Sequence, residues 1–214
     1  MKKELNELVF ILDRSGSMAG LEDDTIGGFN SFIDTQRQSD KNCLVSTVLF
    51  NNQSTVIYDR VALDKIRKME RSDYIPGGTT ALIDAMGDAI KHIKNVHKYI
   101  REEDVPEHTI FVIITDGQEN DSHKFSSDEV KKMVAQQKEK GWEFLFLGAN
   151  IDAVETAKSY GIDETRSVEF LNDSIGIKQN FKSVAKAVSN FMSFGSMEDD
   201  WACEIEEDYK KRKK

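Results

Sequence analysis

The chain has 214 residues, 39% of them hydrophobic and 12 of them Phe, enough for one α/β domain with a modest appendix. A net charge of -9 argues against nonspecific nucleic-acid binding, and no apolar run approaches the length of a membrane span. The start MKKELNELVF turns apolar for only a few residues, so no signal peptide is read there, and Cys43 and Cys203 form no metal-ligand pattern; a cytoplasmic module is expected.

Apolar runs alternate with longer amphipathic stretches, the rhythm of a sheet with helices on both faces. ELVFIL reads as the first strand. TIGGFNSFIDTQRQS reads as a helix with Ile26, Phe29, Phe32 and Ile33 on one face, where the pair Gly27-Gly28 weakens the helix or allows close packing. CLVSTVLF and STVIYDR flank the turn-like NNQ as a hairpin, which puts one antiparallel strand at an edge. VALDKIRKM reads as a short helix, SDYIPGG as a loop, and TTALIDAMGDAIKHIKNVHKYI as a long helix. TIFVIIT is apolar or β-branched throughout, as a central strand should be. SSDEVKKMVAQQKEKG carries a serine start, early acids and a terminal glycine, the usual helix punctuation. WEFLFLG is the next strand, DAVETAKSYG a helix with a glycine stop, RSVEF a short outer strand and IKQNFKSVAKAVSNFMSF the last helix. Residues 1–195 thus form one domain, and residues 196–214, acidic and then basic (KKRKK), a loosely ordered tail from which Trp201 packs back.

Three oxygen-rich loops stand out. In parallel α/β sheets, ligands bind beyond the carboxyl ends of the strands. Asp13, Ser15 and Ser17 follow the first strand. Thr79 and Thr80 follow the paired glycines of PGGTTALIDA at a helix start. Asp116 follows the most apolar strand and is followed by Gly117. A carboxylate at the end of a buried strand is costly unless something positive meets it, and Arg14 is the one cationic side chain in these loops. A small divalent cation of the Mg²⁺ type, which demands oxygen ligands in near-octahedral array, resolves this. Neutral hydroxyls leave such an ion electron-poor, so that a Glu or Asp of a partner protein completes its shell.

The set DRSGSM, GGTTALIDA and ITDG resembles the von Willebrand factor type A domain with its metal-ion-dependent adhesion site. The family pattern D-x-S-x-S is matched by Asp13, Ser15 and Ser17. Its loop threonine, with leucine two and alanine five positions on, is matched by Thr80, Leu82 and Ala85, and its aspartate after the fourth strand by Asp116. The resemblance spans roughly residues 6–195. It implies a three-layer, Rossmann-like open sheet of about six strands, mostly parallel with one antiparallel edge strand. It also implies that Ser15, Ser17 and Thr80 coordinate the metal directly, while Asp13 and Asp116 act through bound water or charge. The ion is Mg²⁺, with Mn²⁺ or Ca²⁺ as alternatives, and the type expected is the single-domain intracellular bacterial or phage-like one.

Other residues read more plainly. Thr79 is a helix cap or outer hydrogen-bonding group, Asp23 and Asp24 are helix-start acids, and Glu119 and Asp121 belong to a solvated rim. Asp84 faces solvent or holds a loop. The four histidines carry no metal role. Two alternatives to the binding module remain: a Mg²⁺-dependent phosphatase with Asp13 as nucleophile, and a metal that serves only as a structural staple. The former lacks a second aspartate, since position 15 is Ser, and neither a P-loop nor a G-x-S-x-G elbow is present. The expected module is therefore not an enzyme. Its oligomeric state is not legible.

Overall fold

The computed structural model describes residues 2–39 and 42–213, the side chains of Lys2 and Lys3 excepted. Its strands are β1 (Lys2–Asp13), β2 (Cys43–Phe50), β3 (Ser54–Ala62), β4 (Pro106–Thr115), β5 (Glu143–Ala149) and β6 (Ser167–Phe170). Its helices are α1 (Glu22–Ser39), α2 (Leu82–Tyr99), α3 (Ser127–Lys138), α4 (Ala153–Ser159), α5 (Ser174–Phe194) and α6 (Cys203–Arg212). The strands form one sheet in the order β3-β2-β1-β4-β5-β6. All pairings are parallel except β2 with β3, the hairpin at the edge. This is the expected Rossmann-like three-layer fold.

The central strands are apolar on both faces because both faces are covered. Leu8, Phe10 and Leu12 of β1 point into one layer with Phe29 and Phe32 of α1 and with Phe181, Val184 and Val188 of α5. Val9 and Ile11 point the other way, into a layer with Leu82, Met86 and Ile90 of α2 and Val130 and Val134 of α3. Phe10 meets Phe29 and Phe32 edge-on, at centroid distances of 5.4 and 4.8 Å. The α3 start closes a reciprocal capping box between Ser126 and Glu129. At the opposite end of the sheet from the oxygen-rich loops, the fully buried Glu7 carboxylate accepts from Arg60 of β3 and lies 2.6 Å from His97 of α2. His92 pairs with Asp59 in a similar way, so two of the histidines serve polar contacts across elements.

Two local expectations are corrected. Residues 61–69 hold no α-helix: β3 continues through Val61 and Ala62, which pair with Val45 and Leu44, and one 3-10 turn at Leu63–Lys65 follows. The extension rests on a strand irregularity at Arg60, whose φ is 51° and whose N–H donates to Ser46 Oγ at 3.0 Å. The acidic-then-basic end is also not a loose tail across residues 203–212, which form α6. Acids near its start and bases near its end complement the helix dipole, and Lys210, Lys211 and Arg212 each pair with the acid four residues earlier. Buried Ile205 anchors the helix to the body. Trp201 packs back as expected, its indole N–H donating to the Thr165 carbonyl at 2.9 Å. Lys214, the end of the basic run, lies outside the described residues.

The glycine pair of α1 serves close packing at one position and not at the other. A Cβ on Gly28 would fall 2.2 Å from the Phe181 ring, whereas one on Gly27 would meet nothing within 4 Å. Gly27→Ala is therefore expected to stabilise the domain by about 0.5–1 kcal/mol, through helix propensity and a restricted unfolded chain. Gly28→Ala is expected to destabilise it by about 1–3 kcal/mol through overpacking against α5. Urea denaturation of the two variants checks this, and equal effects would refute the packing argument.

Candidate functional site

The carboxyl ends of β1 and β4 lie side by side at the centre of the sheet, since Leu12 pairs with Ile114. The chain must leave both strands there, which sets Asp13 beside Thr115 and Asp116 on one edge. Asp13 is 2% exposed. One of its oxygens accepts the Ser15 N–H at 2.7 Å, and the other accepts the Thr115 hydroxyl at 2.6 Å. Its own carbonyl accepts from the buried Tyr74 hydroxyl. Both carboxylate oxygens are thus fixed from within the protein.

The Asp13–Ser15 turn aims the next hydroxyls inward. Ser15 Oγ and Ser17 Oγ are 3.0 Å apart, and Ser17 Oγ donates to Asp116 Oδ1 at 2.6 Å. The other Asp116 oxygen accepts from Asn172 Nδ2 at 2.6 Å. Asp116 is 1% exposed, while Ser17 is open to solvent. The glycine loop is tied to this turn by two backbone bonds, Gly16 N–H to Gly78 O at 3.0 Å and Gly77 N–H to Arg14 O at 2.9 Å. Gly78 needs its glycine, because its φ is +76° and a Cβ there would lie 2.5 Å from Asn52 Oδ1. Thr80 is held by Asn120 in both directions, Thr80 N–H to Asn120 Oδ1 at 2.9 Å and Asn120 N–H to Thr80 O at 3.0 Å.

All five residues selected from the sequence therefore lie on one edge of the sheet. Gly117 marks the space between them: a Cβ there would sit 3.4 Å from Thr80 Oγ1 and 3.7 Å from Ser17 Oγ. Burial pushes the Asp13 carboxyl above its usual range, against hydrogen bonds from Thr115 and Ser15 that pull it down. Burial likewise raises Asp116, and the neighbouring Asp13 charge adds to the rise against hydrogen bonds from Ser17 and Asn172. Among the described residues no cation pairs with either carboxylate. Arg14 turns away and donates to Thr55 Oγ1 at 2.7 Å.

The expected minor residues find specific places. Thr79 donates to Asp121 at 2.5 Å and does not cap α2, whose start has no side-chain cap. Glu119 is not a free rim charge. Its carboxylate accepts from the backbone of Ile83, Asp121 and Ser122, so it supplies an acceptor to the α2 start. Asp23 pairs with Arg71, and Asp24 accepts from Ser174 Oγ. Asp84 holds the loop after Asp116 by accepting the N–H groups of His123, Lys124 and Phe125 at 2.9, 2.9 and 3.0 Å. Its burial works to raise its pKa, but these three bonds outweigh it and hold the carboxyl below the usual range. A lowered folded-state pKa gives stability that is present above the unfolded value of about 4 and is lost as pH falls through the folded value. Asp84→Ala is expected to cost about 2–3 kcal/mol at pH 7, from three unmet donors, and to flatten the acid limb of stability below about pH 4. Thermal unfolding across pH 2–7 checks both (roughly the carboxylate range); an acid limb unchanged by the substitution would refute the assignment.

Thr115, Asn120, Asn172 and Tyr74 complete the site and were not singled out from the sequence. Thr115 adjoins Asp116, and Asn172 follows the last strand, so position beyond a strand's carboxyl end was the signal available for both.

Among the described residues no three or more His, Cys, Asp or Glu side chains gather at a metal-holding spacing. The metal-binding character expected from the sequence is corrected to this extent: the cluster has two carboxylates, and its remaining donors are hydroxyls. Among the described residues no helix is long and apolar enough to cross a membrane.

The family model described as von Willebrand factor type A domain matches residues 7–170. No curated protein sequence matches the chain. Proximal thread matrix protein 1 from the mussel byssus, solved with a zinc-occupied MIDAS motif, is similar with a TM-score of 0.57 and 16% identity over 86% of this chain and 46% of that one. The PilB minor pilin of Streptococcus sanguinis is similar with a TM-score of 0.62 and 12% identity over 91% and 63%. The vWF domain of the pilus tip protein Mfa5 from Porphyromonas gingivalis has a TM-score of 0.63 and 10% identity over 91% and 98%. The chain thus spans less than two thirds of the byssal protein and of the minor pilin. These matches overturn the expected intracellular bacterial or phage-like type and the cytoplasmic location, since the proteins of similar fold belong to byssus and pili. At such identities the likeness carries the fold alone.

Proposed function

The chain belongs to the von Willebrand factor type A domain family, and from that premise we propose that its loop edge is a divalent-metal-dependent site for a protein partner. The family is one of interaction modules and not of enzymes, and a metal-assisted interaction module is what the fold is compatible with. Ser15, Ser17 and Thr80 would hold a Mg²⁺-type ion through their hydroxyls, with Asp13 and Asp116 supplying charge through water. When bound, the ion supplies a Lewis-acidic position that a Glu or Asp of the partner fills.

The observation that carries this reading is the pair of buried carboxylates, Asp13 and Asp116, with no cation beside them among the described residues, and with the Thr80 and Ser17 hydroxyls bordering the space next to Gly117 and Ser15 Oγ 3.0 Å from Ser17 Oγ. An all-oxygen donor set of this kind suits a hard cation. The zinc in the byssal relative's MIDAS motif supports the reading at the level of family chemistry. Nucleophilic use of Asp13 is disfavoured, because both its oxygens are engaged by Ser15 and Thr115 within the protein. A purely structural metal is disfavoured by the direct bonds that already tie the three loops together.

Calorimetric titration with Mn²⁺, followed by capture of partners with Mn²⁺ and elution with chelator, tests the proposal. Saturable one-site binding and chelator-released partners are expected. Absence of Mn²⁺ binding at millimolar concentration, or capture indifferent to chelator, would refute it.

A further inference from the structure

We propose that Arg14 selects the partner by taking a second acidic group, so that the favoured partner offers two carboxylates in one segment, one to the ion and one to this guanidinium. The proposal rests on the reading of the loop edge as a metal-dependent site and adds a second point of recognition beside it.

The first observation is an ion pair that is not made. Every other arginine of the chain pairs with an Asp or Glu, whereas Arg14 pairs with none among the described residues. In a chain with a net charge of -9, an arginine without an acid is the exception. Arg14 also adjoins Asp13 in sequence, and that carboxylate is 2% exposed. Neutralising Asp13 would be the nearest use of the guanidinium, and the structure turns it elsewhere.

The second observation is how the side chain is held. The backbone of Arg14 is fixed on both sides, its N–H donating to Phe50 O at 2.7 Å and its carbonyl accepting the Gly77 N–H at 2.9 Å. Nη2 donates to Thr55 Oγ1 at 2.7 Å, and Nε is buried. Nη1 is neither buried nor bonded among the described residues, so the free edge of the guanidinium faces outward. A neutral hydroxyl orients the fork and leaves its charge unspent. A planar guanidinium fixed in this way is suited to a carboxylate.

The third observation is the place. Thr55 lies on β3, and the sheet order β3-β2-β1 sets that strand two spacings from the strand that ends in Asp13. Neighbouring strands are about 4.8 Å apart, so the guanidinium is anchored roughly 10 Å to the side of the metal ligands. An extended segment covers that distance in about three residues, and the reach of the side chains widens this to two to four. A partner already bound through one acid therefore presents a neighbouring acid to Arg14 without a second segment having to dock.

The experiment measures binding of the full chain, in Mn²⁺ and in chelator, to short Gly/Ser peptides displayed densely on a sensor surface. One peptide carries a lone Glu, and the others carry the same Glu with an Asp two, three or four positions further on. In Mn²⁺, at least one two-acid peptide is expected to bind about three- to tenfold more tightly than the one-acid peptide, with the margin shrinking as salt rises. Arg14→Gln should bring the two down to equal binding, and Arg14→Lys should retain part of the margin. The margin is a ratio within each variant, so it is insensitive to any change in metal affinity, and circular dichroism verifies the fold. Equal binding of one-acid and two-acid peptides by the parent, or a margin unchanged in the folded Arg14→Gln variant, would overturn the Arg14 assignment alone. Absence of Mn²⁺-dependent binding to every peptide would overturn the metal reading together with it.

Discussion

Asp116→Asn is expected to weaken Mn²⁺ binding by about 10–100-fold while making the metal-free domain more stable. Two physical terms act in opposite directions on the two states. In chelator, the ionised Asp116 carboxylate is buried beside Asp13 with no cation among the described residues, and both burial and the Asp13 charge act against its ionised form. Removing that charge is expected to be worth about 1–2 kcal/mol, or roughly 2–8 °C in melting temperature for a domain of this size. The new amide also fits its neighbours. Ser17 Oγ–H can rotate toward either atom, and the Asn172 amide can turn over to present its Oδ1, which is buried without a partner. With metal present, the same substitution removes one of two negative charges facing the ion. Calorimetric melting in chelator and Mn²⁺ titration of the same preparations check the pair of effects. A variant that melts lower in chelator and binds Mn²⁺ as well as the parent would sink the assignment.

Gly176→Ala is expected to be the most damaging single-methyl change in the domain, at about 2–4 kcal/mol. Gly176 lies in the first turn of α5, and a Cβ on it would fall 2.0 Å from the Leu171 carbonyl oxygen. The obstacle is backbone, so no rotamer change relieves it. Asp173 also caps this turn by accepting the Ile175 and Gly176 N–H groups at 3.1 and 2.9 Å. Relief requires moving the segment 171–173, and Asn172 on that segment holds Asp116. The substitution should therefore lower the melting temperature and also weaken Mn²⁺ binding, although residue 176 touches none of the five candidate ligands. Loss of stability with Mn²⁺ affinity intact would show that the segment and the site are independent.

The sheet was legible because its strands are written in continuous apolar runs. TIFVIIT and WEFLFLG permit few other readings, and the NNQ turn placed the antiparallel edge. The α3 helix was legible from its serine start, early acids and terminal glycine, where the structure closes the Ser126–Glu129 box. Elements governed by charge order were less legible. The acids and bases of residues 203–212 were read as two blocks in a tail, when their spacing of four makes them the rungs of α6. The site divides in the same way. Asp13, Ser15, Ser17 and Asp116 stood out by residue type and place within their loops, and Thr80 was preferred to Thr79 only through the family resemblance. Thr115, Asn120 and Asn172 act across elements far apart in sequence, and no local pattern encodes a bond that exists only once β1, β4 and β6 are assembled. Compartment was not legible either, because the same donor set serves its chemistry wherever the domain resides.

The pairing of β1 with β4 sets when the candidate site comes into being. Ser17 and Asp116, joined by one hydrogen bond, are 99 positions apart in sequence. Contacts of such separation form late and make folding slow, since the loop must close before the contact repays it. A chain emerging from the ribosome carries the whole serine motif long before β4 exists. Until then it holds a turn with hydroxyls and one carboxylate, with no second carboxylate to complete the cluster. The complete cluster is thus a maturation mark, present only in a chain whose central sheet has closed.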